Sequence, residues 1–172
     1  MSQVSAHLID DHGALDKILK QLQSALRSGD VENAHAKLDL FWARLAVHIR
    51  AEHLHLFPAV SGLGDEAQKI VAELRRDHEF FMHELARAVE ITRELLTISE
   101  QPIVNEGLKK IENIIVEIEQ RLVEHNEVEE KKIYHWASTL LSSEEQTRLT
   151  EWITWELRNR PSRFTQDVWS DK

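Results

Sequence analysis

The chain has no cysteine among its 172 residues. That absence excludes disulfides, thiol nucleophiles, thiolate zinc sites and cysteine-ligated iron–sulfur clusters together, so any metal must be held by nitrogen and oxygen. Glycine and proline are scarce, five and three residues, and most of them fall between long periodic stretches. An all-β fold needs more turn material, so the chain is expected to be nearly all helix. There is no long apolar run, and residues 1–11 carry no cationic or apolar leader, which reads as a soluble, cytoplasmic protein with no membrane partner. A basic surface is missing too: 21 Lys and Arg against 30 Asp and Glu give a net charge of -9, which argues against nucleic acid as a partner. The length suits one domain with a sizeable core. What the chain has in quantity is histidine, ten residues of it.

Breaks at Ser28-Gly29-Asp30, at Pro58 to Asp65, at Ser99 to Asn105 and around Ser142-Ser143 divide the chain into four long helices and a shorter fifth. Asn105 is the expected N-cap of the fourth helix, and Ser142 with Glu145 reads as a capping box opening the fifth. The expected architecture is all-α: an antiparallel up-down-up-down four-helix bundle over residues 1–141, then a short C-terminal helix and tail over residues 142–172. In that last segment Leu149, Trp152, Ile153 and Trp155 form an apolar strip that must dock, on the bundle or in a homodimer contact. Residues 161–172, polar apart from Phe164 and Trp169, are expected to be partly disordered.

Each long helix carries an inward stripe with steps of three and four, and each stripe is interrupted by histidine. Helix 1 reads Leu8, His12, Leu15, Leu19, Leu22, Leu26; helix 2 reads Leu38, Phe41, Leu45, His48, Glu52, Leu56. Helix 3 gives Val71, Leu74, His78, Phe81, Leu85; helix 4 gives Ile111, Ile115, Ile118, Leu122, His125, Glu129. A weak internal repeat accompanies this: Asp11-His12 resembles Asp77-His78, and His48-x3-Glu52 resembles His125-x3-Glu129, with Phe57 matching Tyr134.

Counting from the loops places these residues at one level. His12 lies 16 residues before Ser28 and His48 lies 17 after Val31, so both are roughly 25 Å from the turn at 1.5 Å per residue. His48 and His78 are 13 and 12 residues from Ser61 and Glu66, and His78 and His125 are 21 and 20 from Ser99 and Asn105. Glu52 and Glu129 then sit one turn toward the Pro58 end, where they can meet across the core.

A lone histidine in a core stripe is usually a hydrogen-bonded core residue. Four at one level with two glutamates read differently, because a buried carboxylate costs several kcal/mol unless it is paired or binds a cation, and no Lys or Arg lies on these stripes. Six nitrogen and oxygen ligands exceed what one tetrahedral zinc takes. Two octahedral ions sharing the carboxylates, each with two histidines, fit the set, and the chemistry favours iron ahead of manganese.

On these residues the chain resembles the hemerythrin-like (HHE cation-binding) family, through Asp11-His12, the HIRAEHLHLFP segment from His48, Asp77-His78 and HNEVEE from His125, over roughly residues 5–137. The resemblance implies a four-helix bundle holding a non-haem di-iron centre bridged by two carboxylates and an oxo or hydroxo group. The ligands would be His12, His48, Glu52, His78, His125 and Glu129. Oxygen-carrying members have a further histidine four residues after the third-helix ligand, and that position is Met82 here. The resemblance therefore points away from a carrier and toward sensing, repair or nitric-oxide handling, with a coordination position open to water or a diatomic gas. Dioxygen, peroxide and nitric oxide are the expected small-molecule partners, in a monomer or homodimer, and iron storage or delivery is the alternative function.

The remaining histidines, His7, His35, His53, His55, His83 and His135, lie off the stripes and are expected at the surface or behind the ligands, His53 being a candidate to line the entrance. Asp11 and Asp77 are candidates to hydrogen-bond the histidines that ligate. The acidic run Glu127 to Glu130, Glu129 excepted, is expected to be a solvated face paired with Lys131 and Lys132. A ferritin-like oxidase needs Glu-x-x-His on two helices, and of the two glutamates on the inward stripes only Glu52, with His55, has that spacing.

Overall fold

The computed structural model describes residues 3–159. Helix α1 is Gln3–Ser28. Helix α2 is Val31–Ala51, continued through a widened turn at Glu52–Leu56 into Phe57–Ser61. Helix α3 is Asp65–Leu95; α4 is Gln101–Val128, continued through a second widened turn at Glu129–Ile133 into Tyr134–Thr139; and α5 is Ser143–Arg158. No strand occurs among the described residues, and none of their helices is long and apolar enough to cross a membrane.

The breaks have local causes. Gly29, at φ 74°, ends α1 in the left-handed region that glycine enters without a Cβ penalty. Asp30 then caps α2, its carboxylate accepting from the Asn33 N–H. Ser142 and Glu145 form the capping box read from the sequence.

Two boundaries differ from the sequence reading. The helix runs on through Pro58 to Ser61, because the widened turn just before Pro58 spreads the backbone where a proline ring would otherwise clash with the preceding turn. Helix α4 begins at Gln101 rather than at Asn105, with Pro102 in its first turn, where a missing N–H has no intrahelical partner to lose.

Side-chain contacts set the packing of a helical bundle. Ser5, His12 and Gln23 of α1 meet Tyr134, Glu130 and Glu119 at successive levels of α4. His35 and His53 of α2 meet Thr92 and His78 of α3. The apolar interior divides in two. One cluster is built from Leu15, Leu19, Leu22, Phe41, Phe81, Leu85, Ile111 and Ile115 among others, and Met82 packs half-buried against it. The other contains Leu8, Leu56, Phe57, Leu74, Ile133 and Tyr134. The histidine level lies between them, walled above and below by hydrocarbon.

Helix α5 joins the second cluster through Leu149 and Ile153 and is pinned by buried Glu156, which accepts from Arg50 Nε at 2.7 Å. Its apolar strip is only half used. Trp152 and Trp155 stay exposed, because Leu149, Ile153 and Glu156 share the docked face while the two tryptophans point off it. The expectation for residues 161–172, with Phe164 and Trp169, lies outside the described residues.

Candidate metal centre

Four histidines from four helices converge with two glutamates. His12 Nε2 and His48 Nε2 are 3.2 Å apart, and His78 Nε2 and His125 Nε2 are 3.0 Å apart. The glutamates span the two pairs. Glu52 places Oε1 3.3 Å from His48 Nε2 and Oε2 3.4 Å from His78 Nε2. Glu129 places Oε2 3.3 Å from His12 Nε2, and its Oε1 lies 2.9 Å from His125 Nε2 and 3.7 Å from His78 Nε2. Both glutamates are 0% exposed and no histidine of the four exceeds 7%.

The position of the two glutamates has a backbone origin. Each opens one of the widened turns: the Phe57 N–H reaches back five residues to the Glu52 carbonyl, and the Tyr134 N–H does the same to Glu129. Such a turn is rare in helices and collects at functional sites. Here it falls twice, at equivalent places of the internal repeat.

Glu52 Oε2 and Glu129 Oε1 accept no hydrogen bond although both are fully buried. The nearby imidazole nitrogens approach them without donating along the N–H direction. A carboxylate oxygen left this way is costly, and a cation among these atoms removes the cost. His12, His48, Glu52 and Glu129 offer ligand atoms within 4.8 Å of one another, and so do His78, His125 and Glu129. The donor set of imidazole and carboxylate, with neither thiolate nor thioether, fits a borderline or hard transition-metal ion such as iron.

The outward nitrogens are held as well. His48 Nδ1 donates to Asp11 Oδ2 at 2.9 Å, His125 Nδ1 to Asp77 Oδ2 at 3.1 Å and His12 Nδ1 to Glu130 Oε1 at 2.9 Å. Three carboxylates thus aim three rings and turn their Nε2 atoms inward. The fourth ring, His78, hydrogen-bonds His53 Nε2 through Nδ1 at 2.8 Å, with Arg75 Nη1 3.2 Å from the other nitrogen of His53. Phe57 stacks on His78 at 5.6 Å and 6°, and Phe81 meets His125 edge-on.

Without a cation, charge in the cluster is balanced by protons. Burial alone would lower the pKa of His125, but the charge of Glu129 and the hydrogen bond to Asp77 carry it up to about 10. Burial opposes His48 in the same way, and Glu52 and Asp11 raise it well above its ordinary value. Burial would raise Glu129, yet His125 and the other imidazoles hold it well below the carboxylate range. Asp11 falls to about 2 against burial, through His48 and Arg44. His53 is pushed down to about 4, chiefly by burial, with its neighbours His78 and Arg75 acting in the same direction.

All six residues singled out in the sequence meet at this cluster, and Asp11, Asp77 and His53 stand directly behind it. Glu130 stays on an exposed face, as read from the sequence, and its carboxylate also bonds His12, a contact that the sequence reading does not include. Of its neighbours, Lys131 does pair with Glu127, while Lys132 pairs with Glu66 across to α3. Two participants had not been singled out as site residues. Arg44 is buried and donates to Asp11 Oδ1 at 2.7 Å, bracing the carboxylate that holds His48. Tyr134 brings its hydroxyl to 2.8 Å from Glu52 Oε1; its pairing with Phe57 in the repeat was the available signal.

Asp77→Ala is expected to weaken metal affinity by roughly 10–100-fold, the usual cost of losing a carboxylate that orients a ligating histidine. Competition with a chromogenic chelator measures this, with exposed His83→Ala as the variant that should show no change.

A helical bundle with buried histidine–glutamate clusters between two apolar layers defines a metal-binding protein. Residues 3–137 match the hemerythrin HHE cation binding domain, and the chain belongs to that family. No curated protein and no solved structure matches it.

Proposed function

We propose that this protein is a non-haem di-iron protein that binds a small ligand, dioxygen, peroxide or nitric oxide, in the bundle core, for sensing, stress protection or redox chemistry. The observation that carries the reading is that each buried glutamate reaches both histidine pairs, one oxygen to each. Two ions, each on one pair and sharing both carboxylates, would satisfy every inward atom. His12, His48, Glu52, His78, His125 and Glu129 are the ligands in this reading. An antiparallel up-down-up-down bundle of α1 to α4 would deliver them, in keeping with the short connections and the successive levels at which α1 meets α4.

Iron in such a site supplies reversible small-ligand binding and one-electron chemistry. The chain itself supplies the rest. Asp11, Asp77 and Glu130 fix the rings, and the Phe57 and Phe81 side chains with the apolar clusters exclude bulk water. Met82, four residues after His78, packs half-buried and adds no imidazole donor, and His53 meets only the outward Nδ1 of His78, so that side keeps room for exchange.

The test uses full-length protein loaded with ferrous iron and reduced anaerobically. Mixing with dioxygen or with nitric oxide should change its absorbance faster than a ferrous chelator removes iron. Iron that leaves to the chelator with no ligand-linked spectral change would favour storage or delivery instead.

A further inference from the structure

We propose that Tyr134 is a seventh ligand of the centre, its phenolic oxygen joining the ion position of His12 and His48 and leaving the exchangeable position on the side of His78 and His125. This inference rests on the di-iron reading above and says which of the two positions takes the small ligand.

Tyr134 is 1% exposed, and its hydroxyl has three polar neighbours: Glu52 Oε1 at 2.8 Å, His12 Nε2 at 3.1 Å and Glu129 Oε2 at 3.2 Å. A phenol has one proton to donate. Two carboxylate oxygens compete for it, and the third neighbour is the inward nitrogen of a histidine. All three belong to the cluster of His12, His48, Glu52 and Glu129. An oxygen surrounded by candidate ligand atoms, with one proton for two acceptors, sits where a cation would satisfy all of them at once.

The internal repeat makes the asymmetry plain. Tyr134 closes the widened turn opened by Glu129, and Phe57 closes the one opened by Glu52. Each ring lies against a histidine of the cluster, Tyr134 5.7 Å from His12 and Phe57 5.6 Å from His78. The two aromatic residues occupy equivalent backbone seats, and one of them carries an oxygen. The His12–His48 position therefore has two imidazoles, two carboxylates and a phenol around it. The His78–His125 position has a hydrocarbon ring in the corresponding place.

Coordination breaks the phenolic O–H bond and forms an oxygen–metal bond, and the proton leaves to solvent with those displaced from the imidazoles; nothing is oxidised or reduced. A hard anionic oxygen suits ferric iron in particular.

Tyr134 is the only tyrosine in the chain. A ferric-phenolate charge-transfer band, or phenolate ring vibrations enhanced on excitation into it, can come from no other side chain. The experiment records visible and resonance Raman spectra of the full-length protein loaded with iron and oxidised, beside Tyr134→Phe and Phe57→Tyr. The parent should show the phenolate signature and Tyr134→Phe should lose it while keeping its iron. Phe57→Tyr should add a second phenolate and slow azide binding to the oxidised protein several-fold, since it fills the open side. Iron bound by the parent with no phenolate signature overturns the role of Tyr134 and leaves the di-iron reading standing. A parent that binds no iron overturns both.

Discussion

Glu129→Ala is expected to lower metal affinity by more than roughly 100-fold, since losing a group that merely orients a ligand already costs about 10–100-fold. Glu129 contributes to both ligand clusters, with one oxygen toward His12 and the other toward His125. Removing it should empty both positions together rather than one. Glu52→Ala should act in the same direction, because its oxygens divide between His48 and His78. Each change also removes the negative partner of buried imidazoles, so the metal-free chain should lose thermal stability while keeping its helices, which the two apolar clusters hold together. Elemental analysis with far-ultraviolet circular dichroism on the same samples separates the two effects. Loss of helix in step with loss of metal would mean that the glutamates are structural.

Stripping the metal should lower thermal stability substantially. A ligand held at 1,000 times its dissociation constant stabilises the folded state by about 4 kcal/mol, and for a chain of this size each kcal/mol moves Tm by about 2–4 °C. The loaded protein is therefore expected to melt at least about 8 °C above the chelated one.

The chelated form should also depend on pH in a way that the loaded form does not. His125 rises from 6.5 to about 10 on folding. Its contribution is complete below 6.5 and disappears as the pH climbs through 10, because the unfolded chain gives up that proton earlier. Glu129 is depressed below its ordinary 4.5, so its contribution is complete above 4.5 and fails as the pH falls through its folded value. The metal-free protein should thus be most stable between about 4.5 and 6.5 and weaken on both sides. A bound cation replaces the protons on the imidazoles, so the alkaline loss should vanish on loading. Thermal melts across pH, with and without chelator, give both results.

The helical content and the level shared by the four histidines were legible because both rest on periodicity. Steps of three and four place residues on one face, and a rise of 1.5 Å per residue converts loop distances into height. That is enough to bring His12, His48, His78 and His125 to one level. Local widening of a helix leaves no such trace. The two turns that begin at Glu52 and Glu129 carry the helix through Pro58 and bring the exposed carboxylate of Glu130 to His12. Tyr134 was visible only as the partner of Phe57 in a weak repeat, and that it points an oxygen at two carboxylates depends on the same turn. Arg44 lies one position before Leu45 of the inward stripe, so periodicity assigned it to a flank; its burial follows from the Asp11 carboxylate that receives it. In α5 the alternation of Leu149 and Ile153 with two tryptophans marked an apolar helix, but which side docks was decided by Arg50 meeting Glu156.

On the di-iron reading, the buried histidine–glutamate level is a centre for two metal ions. Its most direct test is iron counted per chain after anaerobic reconstitution of the full-length protein with ferrous iron and removal of loosely held metal. The expected result is about two iron ions per chain, the number that six inward nitrogen and oxygen donors with two bridging carboxylates support. An iron content near zero, with the protein folded, would contradict it.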